Sequence, residues 1–311
     1  MSAREGSKPP IANAPISYGV FGATGGAGRV SPLEMLAGIA DAGYVGCELG
    51  PPGFFGGAGQ TADAFAAAGL RAVAAYVPIH FTAGDDTVER ELCGLRRSAE
   101  ELVACGRDGL LILADEGSRA LLKAPAHDPG DPRLSLDPNG WRRLAQITRD
   151  AVQIAAEFGL RCSFHPHVST YVEHPSEIDR LLALTELSLT LDTGHLLLAG
   201  GDPLACLRDW SERVNHVHLK DVRVDVLRAA KATGRTDFDQ WWADVSVPLG
   251  RGDVELAAFT AELLRRGYDG WLVVEQDRGP TPRERYDEVA EEQRANFEFV
   301  ERLLEQGNRL H

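Results

Sequence analysis

No apolar run in the 311-residue sequence approaches the roughly 20 residues that a membrane-spanning helix needs, which argues against a membrane protein. The first residues, MSAREGSKPPIANAP, lack the apolar core of a signal peptide. Residues 1–14 therefore read as a flexible tail of a cytoplasmic protein. Positive charge is in deficit: 32 Lys and Arg face 46 Asp and Glu, a net charge of −14. Phosphate-rich partners would be repelled, so neither nucleic acid nor an anionic membrane surface is expected as a partner. Cysteine is sparse, with five residues, an odd number, and no CxxC pair. Reduced thiols are expected rather than disulfides or a zinc–thiolate site. No strand–GxGxxG–helix unit occurs. The glycine-rich GATGGAG (22–28) has the wrong spacing and no Walker lysine, so it reads as a loop after the first strand.

What is present is alternation. Strand patterns fall at 15–21, 44–50, 70–78, 108–115, 160–167, 187–192, 214–221 and 271–277. Helical patterns follow each of them, at 31–43, 61–69, 85–106, 141–159, 175–186, 203–212, 255–267 and 282–306. The first helix carries its own start signals: Ser31 as N-cap, Pro32 next, and Glu34 at the capping-box position. Residues 116–137 read as a long loop and about 222–252 as irregular. Eight apolar strands alternating with eight helices predict a parallel sheet covered by helices, closed into a (βα)8 TIM barrel over residues 15–311. An open doubly wound sheet is the runner-up.

In such a barrel the active site forms at the C-terminal ends of the strands. There the polar residues gather. Strand two ends near Glu48, and strand five in His165-Pro-His167. Strand six ends in Asp192, with His195 three residues on. Strand seven carries His216, His218 and Lys220 on one face, and strand eight runs to Glu275. Of nine histidines, His165, His167, His195, His216 and His218 fall on or just past strands five to seven. Two imidazoles and two carboxylates, from His165, Asp192, His218 and Glu275, suit a divalent cation, with His167 open as an alternative to His165. His216, deeper in its strand, reads as a core residue. Glu48 reads as a substrate contact or as half of a salt bridge with Lys220 or an arginine. Lys220 and Asp221 are placed to meet substrate oxygens, with Arg223 at the rim. The Trp241–Trp242 pair reads either as a lid or as an anchor for the irregular stretch.

DTGH (192–195), HVHLKD (216–221) and GWLVVEQD (270–277) resemble the xylose isomerase-like, or sugar phosphate isomerase/epimerase, superfamily. Within it, FHPHVSTYVE (164–173), LDTGHLLLAGGDP (191–203), NHVHLKDVR (215–223), LGRGD (249–253) and GYVGCELGPPGF (43–54) are most similar to the inosose dehydratases. The resemblance implies Mn²⁺ or Co²⁺, with Zn²⁺, Fe²⁺ or Mg²⁺ also accommodated, and a small polyol or sugar ketone as substrate. Epimerases of the superfamily have a glutamate on strand five, where this chain has His165. With Glu275 as the single mouth glutamate, dehydration through a cation-stabilised enediolate is expected over two-sided epimerisation. Catalytic roles fall to Glu275 as base and to His195 or Lys220 as acid. Glu48, His167, His195, Lys220 and Arg223 are expected to contact substrate. Isomerisation, epimerisation or C-glycoside lysis at the same site, and a non-catalytic sugar-binding barrel, are the alternatives. A homo-oligomer is compatible with the sequence.

Overall fold

The computed structural model describes residues 8–20, 30–234, 242 and 244–308. The glycine-rich 22–28 and Trp241 lie outside the described residues. Eight parallel strands close into a barrel: β1 (Ile11–Asn13), β2 (Gly46–Leu49), β3 (Arg71–Ile79), β4 (Leu110–Asp115), β5 (Arg161–His165), β6 (Ser188–Asp192), β7 (Val214–Leu219) and β10 (Leu272–Val274). Between them run α1 (Pro32–Asp41), α2 (Ala58–Ala68), α3 (Asp85–Cys105), α4 (Arg119–Leu122), α5 (Pro138–Glu157), α6 (Pro175–Leu184), α7 (Thr193–Leu198) and α8 (Pro203–Trp210). After β7 come β8 (Asp221–Val222), α9 (Val224–Ala232), β9 (Ser246–Val247) and α10 (Leu256–Arg265); α11 (Tyr286–Asn308) follows β10. Among the described residues, no helix is long and apolar enough to cross a membrane.

The first strand differs from expectation. It lies at Ile11–Asn13, inside the stretch read as a tail, and closes the barrel between Leu272–Val274 and Gly46–Cys47. The apolar segment read as that strand, 15–21, begins instead with a 3-10 turn at Pro15–Tyr18. Pro15 has no N–H to give a ladder and its fixed φ suits the first position of a helical turn. Two other stretches hold more structure than predicted. The loop at 116–137 contains α4, and the irregular 222–252 contains α9 and the two-stranded β8–β9 pair.

Strand alternation sorts the side chains. Leu111, Leu113, Phe164, Leu189, Leu191, Val217, Leu219 and Val274 join the large core between barrel and helices. The opposite faces fill the barrel. Ala12, Ala74, Leu110, Ile112 and Val273 make an apolar cluster there. Ser163 accepts a hydrogen bond from Thr190 at 2.9 Å. One residue pair further along β5 and β6 stand His165 and Asp192, at the C-terminal ends. The helices start where side chains can satisfy their first N–H groups: Ser31 with Glu34 on α1, Asp137 on α5 and Asp202 on α8.

Candidate active site

Asp192 ends β6 and also caps α7. Its Oδ1 accepts from the Gly194 and His195 N–H groups, both at 2.8 Å. That fixes the carboxylate and leaves Oδ2 buried without a hydrogen-bond partner. Around Oδ2 stand Lys220 Nζ at 3.1 Å, His165 Nε2 at 3.7 Å and His218 Nδ1 at 3.8 Å. His218 Nδ1 also meets Glu275 Oε2 at 2.6 Å and His165 Nε2 at 3.1 Å. Glu275 lies one residue past β10, where its N–H still bonds to Leu219 O and continues the ladder. One ligand atom from each of His165, Asp192, His218 and Glu275 lies within 4.8 Å of the others. His167 is not a member of that group. Its ring lies on His195, with centroids 3.7 Å apart.

This donor set fits a divalent cation: two carboxylates and two imidazoles converge in a buried place. Without a cation, protons hold the group together. Burial alone would lower the His218 pKa, but Glu275 and Glu48 outweigh it and raise it well above the ordinary value. Burial would raise Asp192; Lys220, His195 and His165 hold it well below the usual carboxylate range.

Glu48 bonds to imidazoles rather than to Lys220 or an arginine. Its Oε1 sits between His216 Nε2 (2.8 Å) and His218 Nε2 (2.9 Å), and the side chain is buried. Burial pushes its carboxyl up, and the two imidazoles outweigh that and pull it well down. His218 thus shows one ring nitrogen to the ligand group and is held through the other by a carboxylate, the arrangement that orients metal-binding histidines. His216 is a buried partner in that bracing.

Lys220 is 1 % exposed yet fully ringed by polar atoms. Besides Asp192, its Nζ contacts Asp277 Oδ2 at 2.8 Å and Glu275 Oε2 at 3.4 Å, and donates to His195 Nε2 at 2.9 Å. Burial opposes its charge, but Asp192, Asp277 and Glu275 outweigh burial and keep it an ammonium. Gly194 lets the side chain pass: a Cβ there would lie 2.7 Å from Lys220 Cγ. His195 goes the other way, its pKa depressed first by burial and then by His167 and Lys220. It is a neutral acceptor rather than an imidazolium acid. Trp242 stacks on His195 at 5.1 Å and 14° and lies 5.8 Å from Lys220 Nζ, so it walls the site.

Beyond Lys220, Asp221 turns back to the chain. Its carboxylate accepts from the N–H groups of Val222, Gly250, Gly252 and Val254, tying the LGRGD turn to β8. Gly252 leaves no room for a Cβ beside that carboxylate. Arg223 is half exposed and pairs with Asp225 at 2.7 Å. Asp277 was overlooked, although it stands two residues past Glu275 and so on the same side of the extended chain. Burial pushes its carboxyl up to about 6, against the pull of Lys220. All five cysteines are free, as their spacing predicts.

Known proteins share this frame. A profile of the xylose isomerase-like TIM barrel matches residues 36–298. The rhizopine catabolism protein MocC of Rhizobium meliloti is 36% identical over 181 residues, covering 55% of this chain and 56% of MocC. That match spans little more than half the length of this relative. An inosose dehydratase of Geobacillus kaustophilus is 29% identical over 308 residues, 94% of each chain. Among solved structures, an L-ribulose 3-epimerase superposes with a TM-score of 0.69 at 17% identity, over 97% of this chain and 96% of its own. A closed (βα)8 barrel, a polar cluster at its C-terminal end and a profile match over most of the chain lead to one conclusion: this protein is an enzyme of the xylose isomerase-like TIM barrel family.

Proposed function

We propose that the protein is a divalent-cation-dependent hydro-lyase that removes water from a cyclic polyol ketone of the inosose type. The observation that carries this reading is the placement of Glu275 and Lys220. A carboxylate and an ammonium, 3.4 Å apart, stand beside the His165–Asp192–His218–Glu275 group. Similarity to the Geobacillus inosose dehydratase supports it.

His165, Asp192, His218 and Glu275 would hold Mn²⁺ or Co²⁺, which supplies a Lewis acid against negative charge developing on a ketone oxygen. Glu275 is the least buried of the four, with 14 % of its side chain exposed, and so faces the mouth. Its carboxylate takes the proton α to the ketone. Lys220 gives a proton to the hydroxyl on the next carbon as that C–O bond breaks. Water leaves, and the enol that remains tautomerises to a dione. Asp277 and Asp192 keep Lys220 protonated and aimed. The His195–Trp242 stack offers a flat wall for a six-membered ring and keeps water from its face. His165 replaces the second glutamate that two-sided proton exchange requires, which favours dehydration.

Purified protein with Mn²⁺ and scyllo-inosose should produce an ultraviolet-absorbing dione as substrate disappears. Absence of both changes refutes the dehydratase reading. The fold shared with an L-ribulose 3-epimerase favours epimerisation as the second reading. It predicts solvent deuterium in recovered ketone, or an epimer, without water loss.

A further inference from the structure

A second group of imidazoles and carboxylates lies outside the barrel-mouth cluster. His127 comes from the loop after α4, Glu173 and His174 from the loop after β5, and Glu177 from the first turn of α6. The side chains of His127 and Glu173 are wholly buried, those of His174 and Glu177 about nine-tenths. Both imidazoles converge on one oxygen. His127 Nδ1 is 2.5 Å from Glu173 Oε1, and His174 Nε2 is 3.1 Å from it.

The tautomer of His174 follows from its other contact. His174 Nδ1 lies 2.8 Å from Ala199 O, and a carbonyl only accepts, so the proton is on Nδ1. In the neutral ring Nε2 then presents a lone pair to a carboxylate oxygen. Carboxylate oxygens crowd both ring nitrogens of His127, Glu173 at Nδ1 and Glu177 at Nε2, and Glu173 also stands against His174 Nε2. Facing lone pairs at these distances need a shared cation, either a proton on each imidazole or one metal ion.

The outer contacts favour the metal. Metal-binding side chains are steered by partners on their far atoms. Here Ala199 O holds His174, Glu177 Oε1 lies 3.5 Å from His127 Nε2, and the Ser169 N–H bonds Glu173 Oε2 at 2.5 Å. The backbone also bends to make the cluster. Ala126 (φ 47°) and Ser169 (φ 72°) are the non-glycine residues with positive φ among those described, and they flank it on both loops. We propose that His127, Glu173 and His174 bind a second divalent cation, with a two-imidazole, one-carboxylate donor set suited to Zn²⁺, that pins the loop after β4 to the loop after β5.

The test is metal stoichiometry. The full-length protein, stripped with chelator, is titrated with Zn²⁺, and bound metal is counted by mass spectrometry. Two equivalents are expected for the wild type. A His127→Gln/His174→Gln variant should keep one, and an Asp192→Asn/His218→Gln variant should keep the other. Equal stoichiometry in the wild type and the His127→Gln/His174→Gln variant overturns the proposal. Anomalous scattering at the zinc edge from a soaked wild-type crystal decides the matter if that variant does not fold. A peak about 2.0–2.2 Å from both imidazoles and Glu173 supports the site. No peak there overturns it. The result is independent of the proposed dehydration, because none of these residues belongs to the mouth cluster.

Discussion

Replacing Lys220 with methionine keeps most of the side chain's length and removes its charge. In the wild type the ammonium lies 2.8 Å from Asp277, 3.1 Å from Asp192 and 3.4 Å from Glu275. At an effective dielectric of about 20, each such contact is worth on the order of 5 kcal/mol of attraction, offset by the desolvation of the buried charges. The net cost of removing one partner from a buried ion pair is about 3–5 kcal/mol, because the other charges stay behind unpaired. For a chain of 311 residues, unfolding entropy of about 2.1 cal/mol/K per residue converts this to a fall in Tm of roughly 5–8 °C. Calorimetry in chelator should show that fall. With Mn²⁺ the deficit should shrink, since the ion restores positive charge beside Asp192 and Glu275. A variant melting within about 2 °C of wild type in chelator refutes the charge arrangement, that margin being under 2 kcal/mol. An equal deficit with and without Mn²⁺ refutes the placement of the cation.

Glu48→Gln should weaken Mn²⁺ binding about 10–100-fold, the usual effect of losing a carboxylate behind a liganding histidine. Isothermal titration checks it, and unchanged affinity removes Glu48 from the bracing role. Asp277→Asn should lower kcat for scyllo-inosose by about 100-fold with KM little changed, if it keeps Lys220 in its proton-donating position. A shift confined to KM would make it a substrate contact instead. Asp221→Ala leaves four backbone N–H groups without their acceptor. Urea unfolding should report a loss of roughly 3 kcal/mol, allowing for water reaching part of the turn. A loss under about 0.5 kcal/mol, the level of a neutral surface substitution, would show that the turn holds without it.

The eight-fold β–α order was legible because each parallel strand buries both faces and each helix shows an apolar stripe, and both patterns are local. The ends of β7 and β6 were legible for a similar reason. His216, His218 and Lys220 recur every second residue, alternating with Val217 and Leu219. Asp192 in DTGH caps the helix that begins at the next residue. β1 was missed because three residues, Ile11–Asn13, carry too little periodicity to stand out. It is a strand only because β10 and β2 leave a gap to fill. The seven-residue segment that looked like a better strand, 15–21, begins with proline, which the ladder rejects.

Partners across the barrel were another matter. Glu48 and His218 are 170 positions apart, and nothing local says that they share a proton. Nothing local pairs His127 with Glu173 either, nor Asp277 with Lys220 and His195. Asp221 and Arg223 follow the strand-seven motif so closely that they seemed part of its chemistry, yet the chain turns after Lys220 and carries both away. By itself, then, the sequence determined the alternation of barrel strands and covering helices, which face of each is apolar, and which side chains stand at most strand ends, since these depend on neighbours one to four residues apart. Only the closed barrel decided which of those side chains meet. Closure brings distant strands within a few ångströms, and a buried charge settles its protonation by whatever it then finds beside it.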